Sequence, residues 1–227
     1  MKISKECWNY LKVQRTRLVT QHGLKDDSSE TDITIELHKM LSLDMQTIAS
    51  KLNNKITSVV DIGCGMGLID IGLYHYYHEN DGITFYLVDK SEEPHENKVY
   101  RGYRENYCFY NSLPLAVQNL MNNGVKHYNI IPIDVVLTPN ALTRLEGVDL
   151  VISLLSCGWH YPLTHYIKTI YNMLLMGSGV LIIDIRNDTN GEEILKKYFH
   201  VVRKVENPSE KAIGWRYICR GKRWQPL

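Results

Sequence analysis

The stretch ITSVVDIGCGMG (residues 56–67) decides the fold. It opens as a β-branched, apolar run and ends in three glycines at alternate positions. The first half predicts a strand buried on both faces, as in parallel sheets. The second predicts a tight turn, because glycine lets the backbone fold sharply and lets a ligand approach the main chain with no Cβ in the way. Residues 68–79 are apolar and aromatic enough to form the helix behind that turn. Working outward, ITFYLVD (83–89), YNIIPID (128–134), VDLVISLL (148–155) and SGVLIIDI (178–185) read as four more strands. A helix between the last two is opened by Pro162 and closed by Gly177, the usual asymmetry of helix ends. FHVVRKVE (199–206) and GWRYICR (214–220) flank a polar turn at Asn207-Pro208, which predicts an antiparallel hairpin. The expected class is α/β: a Rossmann-like, mainly parallel sheet with helices on both faces. In such sheets ligands bind beyond the carboxyl ends of the strands.

Upstream, Ile3, Cys7, Trp8, Leu11, Arg15 and Leu18 recur at spacings of three and four, predicting an amphipathic helix over 3–20. The polar stretch KDDSSETD (25–32) reads as a loop with helix-capping residues. A second helical pattern runs from Ile33 to Leu52 and stops at Asn53-Asn54. Residues 1–55 are therefore expected to be a helical extension, and 56–227 the main domain. Ser91 to Ser112 has no clean period but carries five aromatics, which suggests a lid-like insertion at about 91–112.

With 227 residues, 44% hydrophobic and 22% charged, the composition excludes a disordered or fibrous chain. Lys plus Arg (26) balances Asp plus Glu (25), which removes the main argument for a dedicated nucleic-acid protein. A local basic patch stays open: the Lys12/Arg15/Arg17 face and the tail CRGKRWQPL read as solvated surface, or as phosphate contacts. The five cysteines have no zinc-ligand spacing and no disulfide pattern, so no metal site is expected. Neither a signal peptide nor an apolar run of membrane-spanning length appears. The expectation is a cytoplasmic protein with no membrane partner.

The chemistry concentrates in Asp61-x-Gly63-x-Gly65-x-Gly67 and in Asp89, which stands 22 residues past Gly67 at the tip of the second strand. An acid at that place typically accepts two ribose hydroxyls. The spacing departs from the dinucleotide fingerprint, whose last glycine would fall where Leu68 stands. Asp61 is badly placed beside a pyrophosphate and well placed for a cationic group such as an amine. The one Tyr-x-x-x-Lys pair near these elements, Tyr86/Lys90, lies inside the second strand, where it cannot serve a dehydrogenase, and a Walker loop is absent.

On VVDIGCGMG, FYLVD, IIPIDV, VDLVISLL and GVLIIDI, residues 56 to about 220 resemble the class I S-adenosylmethionine-dependent methyltransferases. The resemblance implies a seven-stranded sheet with an antiparallel last strand, and S-adenosyl-L-methionine as cofactor. It places Asp61 near the methionine amino group and Asp89 on the ribose hydroxyls. Gly63, Gly65 and Gly67 would pack on the methionine and ribose, and Asp134 would lie near the adenine amino group. Cys64, Met66, Lys90, Val135 and Ser153 complete the candidate cofactor set. Plain structural roles stay open at this point: Asp61 as a helix-capping acid, Asp89 as a turn residue and Asp134 as a loop acid.

The family's acceptor normally lies over the tip of the fourth strand, here Ser153 to Pro162. The Asn/Asp-Pro-Pro-Tyr/Phe motif of amino-group methylation and the Lys-Asp-Lys-Glu set of ribose methylation are both missing. His160 is present, framed by Trp159 and Tyr161. An imidazole of pKa about 6.5 suits removal of a hydroxyl proton at neutral pH, although a histidine bonded to loop backbone is the competing reading. His165 is a lesser candidate, and Cys157 is not expected to act as a nucleophile. SLLSCGWHYP and FYNSLPLAVQNLMNNGV also resemble bacterial-type sugar O-methyltransferases. Candidate substrate contacts are Tyr103, Arg104, Tyr110, Trp159 and Tyr161. Their aromatic and arginine mixture suits sugar rings, stacked bases or packing of a lid on the core. The expectation is O-methylation of a sugar or glycan-like hydroxyl with His160 as base. Alternatives are an RNA or nucleotide methyltransferase, and a catalytically silent S-adenosylmethionine-binding protein that acts through a partner.

Overall fold

The computed structural model describes residues 1–15, 17–92, 111–207 and 213–223. Its strands are β1 (Ser58–Ile62), β2 (Thr84–Asp89), β3 (Ile130–Asp134), β4 (Leu150–Ser153), β5 (Val180–Arg186), β6 (Phe199–Glu206) and β7 (Gly214–Lys222). They form one seven-stranded sheet in the order β3-β2-β1-β4-β5-β7-β6. β7 runs antiparallel to both of its neighbours, and the other pairings are parallel. The β-branched run of β1 is central, and Val59, Val60 and Ile62 are almost wholly buried, as a strand covered on both faces requires. Chain order reverses between β1 and β4, which opens a crevice at their carboxyl ends.

The helices are α1 (Trp8–Gln14), α2 (Arg17–Thr20), α3 (Glu30–Ile48), α4 (Leu68–Tyr76), α5 (Leu113–Asn122), α6 (Ile167–Met173) and α7 (Gly191–Tyr198). The apolar stripes of α1 and α3–α5 share one core with residues of the sheet. Those of α6 and the buried Leu195 of α7 belong to a second core. The N-terminal segment is thus packed into the molecule. Ser29 caps α3 by accepting the Asp32 N–H at 3.1 Å. The helix then lies on α4 so closely that a Cβ on Gly72 would stand 2.8 Å from Leu41. Arg216 of β7, wholly buried, fixes α3 to the sheet: its Nε donates to Asp184 of β5 at 2.8 Å and its Nη2 to Asp44 of α3 at 2.9 Å.

Two elements differ from expectation. The helix predicted over 3–20 breaks at Arg15, whose φ of −125° and ψ of 60° lie outside the helical region. Arg15 still donates its N–H to Leu11 (2.7 Å), and its own carbonyl accepts from Leu18 (2.8 Å), so the chain turns there instead of unwinding. The turn directs Arg15 into the crevice. On the expected basic face, Lys12 is surface-bound in a pair with Asp26 (2.8 Å), whereas Arg15 is half-buried and lines the crevice. The helix predicted between Pro162 and Gly177 is also shorter: a 3₁₀ turn at Leu163–His165 precedes α6, which ends at Met173.

Candidate functional site

A cavity of about 330 Å³ lies at the carboxyl ends of β1, β2 and β4, the position at which open α/β sheets bind ligands. One wall is the glycine turn. Gly63, Gly65 and Gly67 all have left-handed backbones, with φ of 77°, 53° and 68°. A Cβ on Gly63 would meet Ser156 Oγ at 1.7 Å, and one on Gly67 would meet Leu120 at 2.3 Å. The glycines therefore serve both conformation and close packing. Gly63 and Cys64 donate their N–H groups to Val88 O (2.7 and 3.2 Å), which ties the turn to β2.

Asp89 is half-buried at the tip of β2 and lines the cavity. Its carboxylate accepts from Gly65 N–H at 2.9 Å and Lys90 N–H at 2.8 Å. Burial pushes its pKa up to about 6 against those two donors, and the Asp134 charge adds to the rise. Asp61 is 2% exposed and faces Asp70 of α4, which is wholly buried. Burial raises Asp61 to about 7; the Asp89 charge acts the same way, while Asp70 and Arg15 oppose it. Burial and then the Asp61 charge hold Asp70 well above the carboxylate range. Cys64, Met66, Lys90 and Val135 line the cavity as well.

Three members of the candidate cofactor set are placed differently: Gly67 is outside the cavity lining and packs on Leu120 of α5, and Ser153 and Asp134 are turned elsewhere. Ser153 is fully buried and faces away: its hydroxyl donates to Ile62 O (2.8 Å) and accepts from Cys157 N–H (3.0 Å), clamping the tips of β1 and β4 together. Asp134 stands behind Val135 and is spent on its own turn, accepting from Val136 (2.9 Å), Leu137 (3.2 Å) and Ser91 (3.1 Å). Burial would raise its pKa, but these donors hold it below the usual value.

The opposite wall is the loop after β4. Leu155 has a left-handed φ of 54°, and Ser156 O accepts from both Trp159 N–H (3.0 Å) and His160 N–H (2.8 Å). This tight turn sends consecutive side chains apart. His160 and Tyr161 line the cavity. Trp159, a candidate substrate contact, does not: it is buried, and its ring packs on Gly214, where an added Cβ would lie 2.2 Å away. Tyr161 Oη and Ser156 Oγ are 2.5 Å apart. Burial, reinforced by the Asp89 charge, keeps the phenol well above its usual pKa and therefore neutral. The Tyr166 ring stands 5.8 Å from that of Tyr161, and His165 completes this side. Burial likewise holds the Cys157 thiol protonated. Tyr103, Arg104 and Tyr110 lie outside the described residues. The base of that insertion is defined: Glu92 N–H donates to Asn111 O at 2.9 Å, and Leu113 N–H to Ser91 Oγ at 3.3 Å.

Sequence reasoning missed Gln14, Arg15, Ser156 and Tyr166 in the cavity lining, and Asp70 behind Asp61. Arg15 had a signal: it is a charged residue inside the apolar stripe Ile3, Cys7, Trp8, Leu11, Leu18. Among the described residues, no group of three His, Cys, Asp or Glu could hold a metal, and no helix is long and apolar enough to cross a membrane.

No protein-family model and no curated protein sequence matches the chain. Solved structures do match in fold. An inferred O-methyltransferase of Nostoc punctiforme PCC 73102 superposes with a TM-score of 0.55 at 12% identity, over 93% of this chain and 72% of that one. The apo form of the S-adenosylmethionine-dependent methyltransferase SibL gives 0.50 at 11% identity, over 95% and 69%. A point mutant of MtNAS gives 0.50 at 16% identity, over 93% and 71%. The fold is the Rossmann-like methyltransferase fold, with its antiparallel strand inserted next to β5.

Proposed function

We propose that the chain is an S-adenosylmethionine-dependent methyltransferase that methylates a hydroxyl oxygen of a sugar or glycan-like acceptor, with His160 as general base. The observation that carries this reading is one cavity with two unlike walls: the glycine turn with Asp61 and Asp89 on one side, His160 and Tyr161 on the other. The residues fit the cofactor. Gly63 and Gly65 give the cavity wall bare backbone, Asp61 is an acid with a cavity face, and Asp89 is held by backbone donors with lone pairs to spare. When bound, S-adenosylmethionine supplies an electrophilic methyl group on a sulfonium.

The chain's own residues then orient and exclude. Asp89 accepts the ribose hydroxyls, and Asp61 accepts the amino group. His160 takes the acceptor's hydroxyl proton. Tyr161, a neutral phenol joined to Ser156, offers a hydrogen bond that positions the acceptor oxygen. Residues 1–55 are the helical extension of this enzyme, 56–227 its catalytic domain, and 91–112 a lid-like insertion in it. The four described cysteines, all buried and unpaired, suit a reducing cytoplasm.

The test is calorimetric titration of S-adenosylmethionine and NAD, followed by methyl transfer to a panel of sugars and oligonucleotides. Binding of the former alone, with transfer to a sugar, is expected. NAD binding would overturn the cofactor assignment, and transfer to oligonucleotides alone would overturn the acceptor class. His160→Ala should keep cofactor affinity and lose about 10²- to 10⁴-fold in turnover, the usual scale for a general base. Unchanged turnover would remove His160 from that role.

A further inference from the structure

The block FYNSLPLAVQNLMNNGV (residues 109–125) has no use in the mechanism above. Its buried amides face the cofactor wall. Asn119 of α5 donates its Nδ2 to Met66 O in the glycine turn at 3.0 Å. Asn111, 1% exposed at the foot of the insertion, accepts on Oδ1 from Gln14 Nε2 at 3.2 Å. An amide carries its acceptor and its donor on different atoms, so this bond leaves Nδ2 for another neighbour, and the neighbour is the Asp89 carboxylate. Among the described residues, the buried Nδ2 has no hydrogen-bond partner besides that carboxylate.

Gln14 also stands against Gly65, where an added Cβ would meet its Oε1 at 2.9 Å, and Gly65 N–H donates to Asp89 at 2.9 Å. Four residues from four segments thus close a ring: Gly65 in the glycine turn, Asp89 at the tip of β2, Asn111 at the foot of the insertion and Gln14 at the end of α1. We propose that Asn111 is the positioning residue of this ring: its buried amide aims the Asp89 carboxylate into the cavity, and Gln14 fixes the amide in the orientation that does so. What Asp89 then binds rests on the cofactor reading above. Asn111 itself does not line the cavity and acts only through Asp89. The ring makes the N-terminal extension and the foot of the insertion working parts of one wall.

A donor that faces a carboxylate favours its charged form. Burial pushes Asp89 up to about 6 and the Asp134 charge adds to the rise, while the Gly65 and Lys90 N–H groups and the Asn111 amide oppose it. The other titratable groups facing Asp89 are Asp61, the Cys64 thiol and the Tyr161 phenol. The Lys90 ammonium is engaged by Glu92. Removing the Asn111 amide leaves all of these in place, so Asp89 must rise, by about one to two pH units for a charged hydrogen bond of ordinary strength. A protonated Asp89 gives up acceptor capacity for the ribose hydroxyls. The loss of affinity is therefore confined to a pH window: it is large near pH 6.5 and vanishes once the pH exceeds the raised value. A residue that only held the fold together would cost the same at every pH.

Two measurements on the full chain separate the ring from its ligand. In the ligand-free protein, the Asp89 carboxyl is titrated by carbon NMR in the wild type and in Asn111→Leu, which is close in shape and has no amide. Its midpoint should rise by about one pH unit or more, and an unchanged midpoint would overturn the proposal whatever the ligand. S-adenosylmethionine is then titrated by calorimetry at pH 6.5 and pH 8.5. Relative to the wild type at the same pH, Asn111→Leu should bind about tenfold more weakly at pH 6.5 and within about twofold at pH 8.5. Gln14→Leu, which frees the amide to turn, should show the same pattern with a smaller amplitude. Equal weakening at both pH values would reduce Asn111 to a part of the scaffold and sink the proposal. If Asn111→Leu does not fold, Gln14→Leu carries both readouts, and an unchanged midpoint there is equally decisive. Should the wild type bind no S-adenosylmethionine, the cofactor reading falls, while the NMR midpoint still decides whether Asn111 governs Asp89.

Discussion

The molecule has two groupings of one arginine with two aspartates, one wholly buried around Arg216 and one beside the cavity around Arg15. Around Arg216, the guanidinium reaches Asp184, Asp44 and the Thr47 hydroxyl at 2.7–2.9 Å. Around Arg15, one guanidinium nitrogen has no partner among the described residues, and Asp70 has as its side-chain partner only another carboxyl, that of Asp61. The satisfied cluster lies on the β5–β7 side and joins α3 to the sheet, while the unsatisfied one borders the cavity. Composition alone does not distinguish a structural charge cluster from a functional one. Completeness of hydrogen bonding does.

That contrast can be broken from either side. The largest effect should come from Arg216→Ala, which strands two buried carboxyls: a loss of roughly 3–5 kcal/mol is expected in denaturant unfolding. A loss below about 1 kcal/mol would show that α3 is held by its apolar stripe alone. Asp70→Asn should do the opposite. Asp70 is raised in the folded state, so its ionisation opposes folding as pH climbs above the unfolded value of about 3.9. Removing that burden should stabilise the ligand-free protein by on the order of 1–3 kcal/mol at pH 8, with little gain at pH 4. A destabilised variant at pH 8 would mean the carboxyl has a native partner besides Asp61. Asp89 stands between the extremes, with two backbone donors and an open face on the cavity. Asp89→Ala should weaken S-adenosylmethionine by about tenfold, near 1.4 kcal/mol. Unchanged affinity would remove the ribose assignment.

The cofactor wall was legible in the sequence because its constraints act on the backbone. Left-handed backbone in close contact with neighbouring atoms strongly favours glycine, so Gly63, Gly65 and Gly67 advertise the geometry directly, and Asp89 follows from its place at the strand tip. The acceptor wall was less legible. Whether Trp159, His160 or Tyr161 faces the cavity depends on the turn that Ser156 O closes and on Leu155 adopting a positive φ, and no residue type announces either. Ser153 and Asp134 sit at strand ends as expected, yet their side chains are consumed by neighbouring backbone groups. Arg15 was hidden for a different reason. The spacing of its helix is plainly amphipathic, but the break that turns its side chain into the crevice depends on tertiary contacts. Helices α5 and α7 are both amphipathic yet were not read from the sequence: α7 is short and polar overall, and α5 takes its start from the Ser112 cap, whose hydroxyl accepts Leu115 N–H at 3.4 Å.

The ends of the 91–112 insertion meet. Glu92 and Asn111 pair across an antiparallel bridge, and Ser91 Oγ accepts from Leu113 N–H, immediately after the strand that carries Asp89. A segment whose two ends share a hydrogen bond can be exchanged for another of different length without moving its anchors. The junction can therefore be shortened or refilled while β2, Asp89 and the glycine turn stay in register. The same junction is where a protein engineer would graft a foreign loop, and a short turn joining residues 92 and 111 should leave the nucleoside half of the cavity standing.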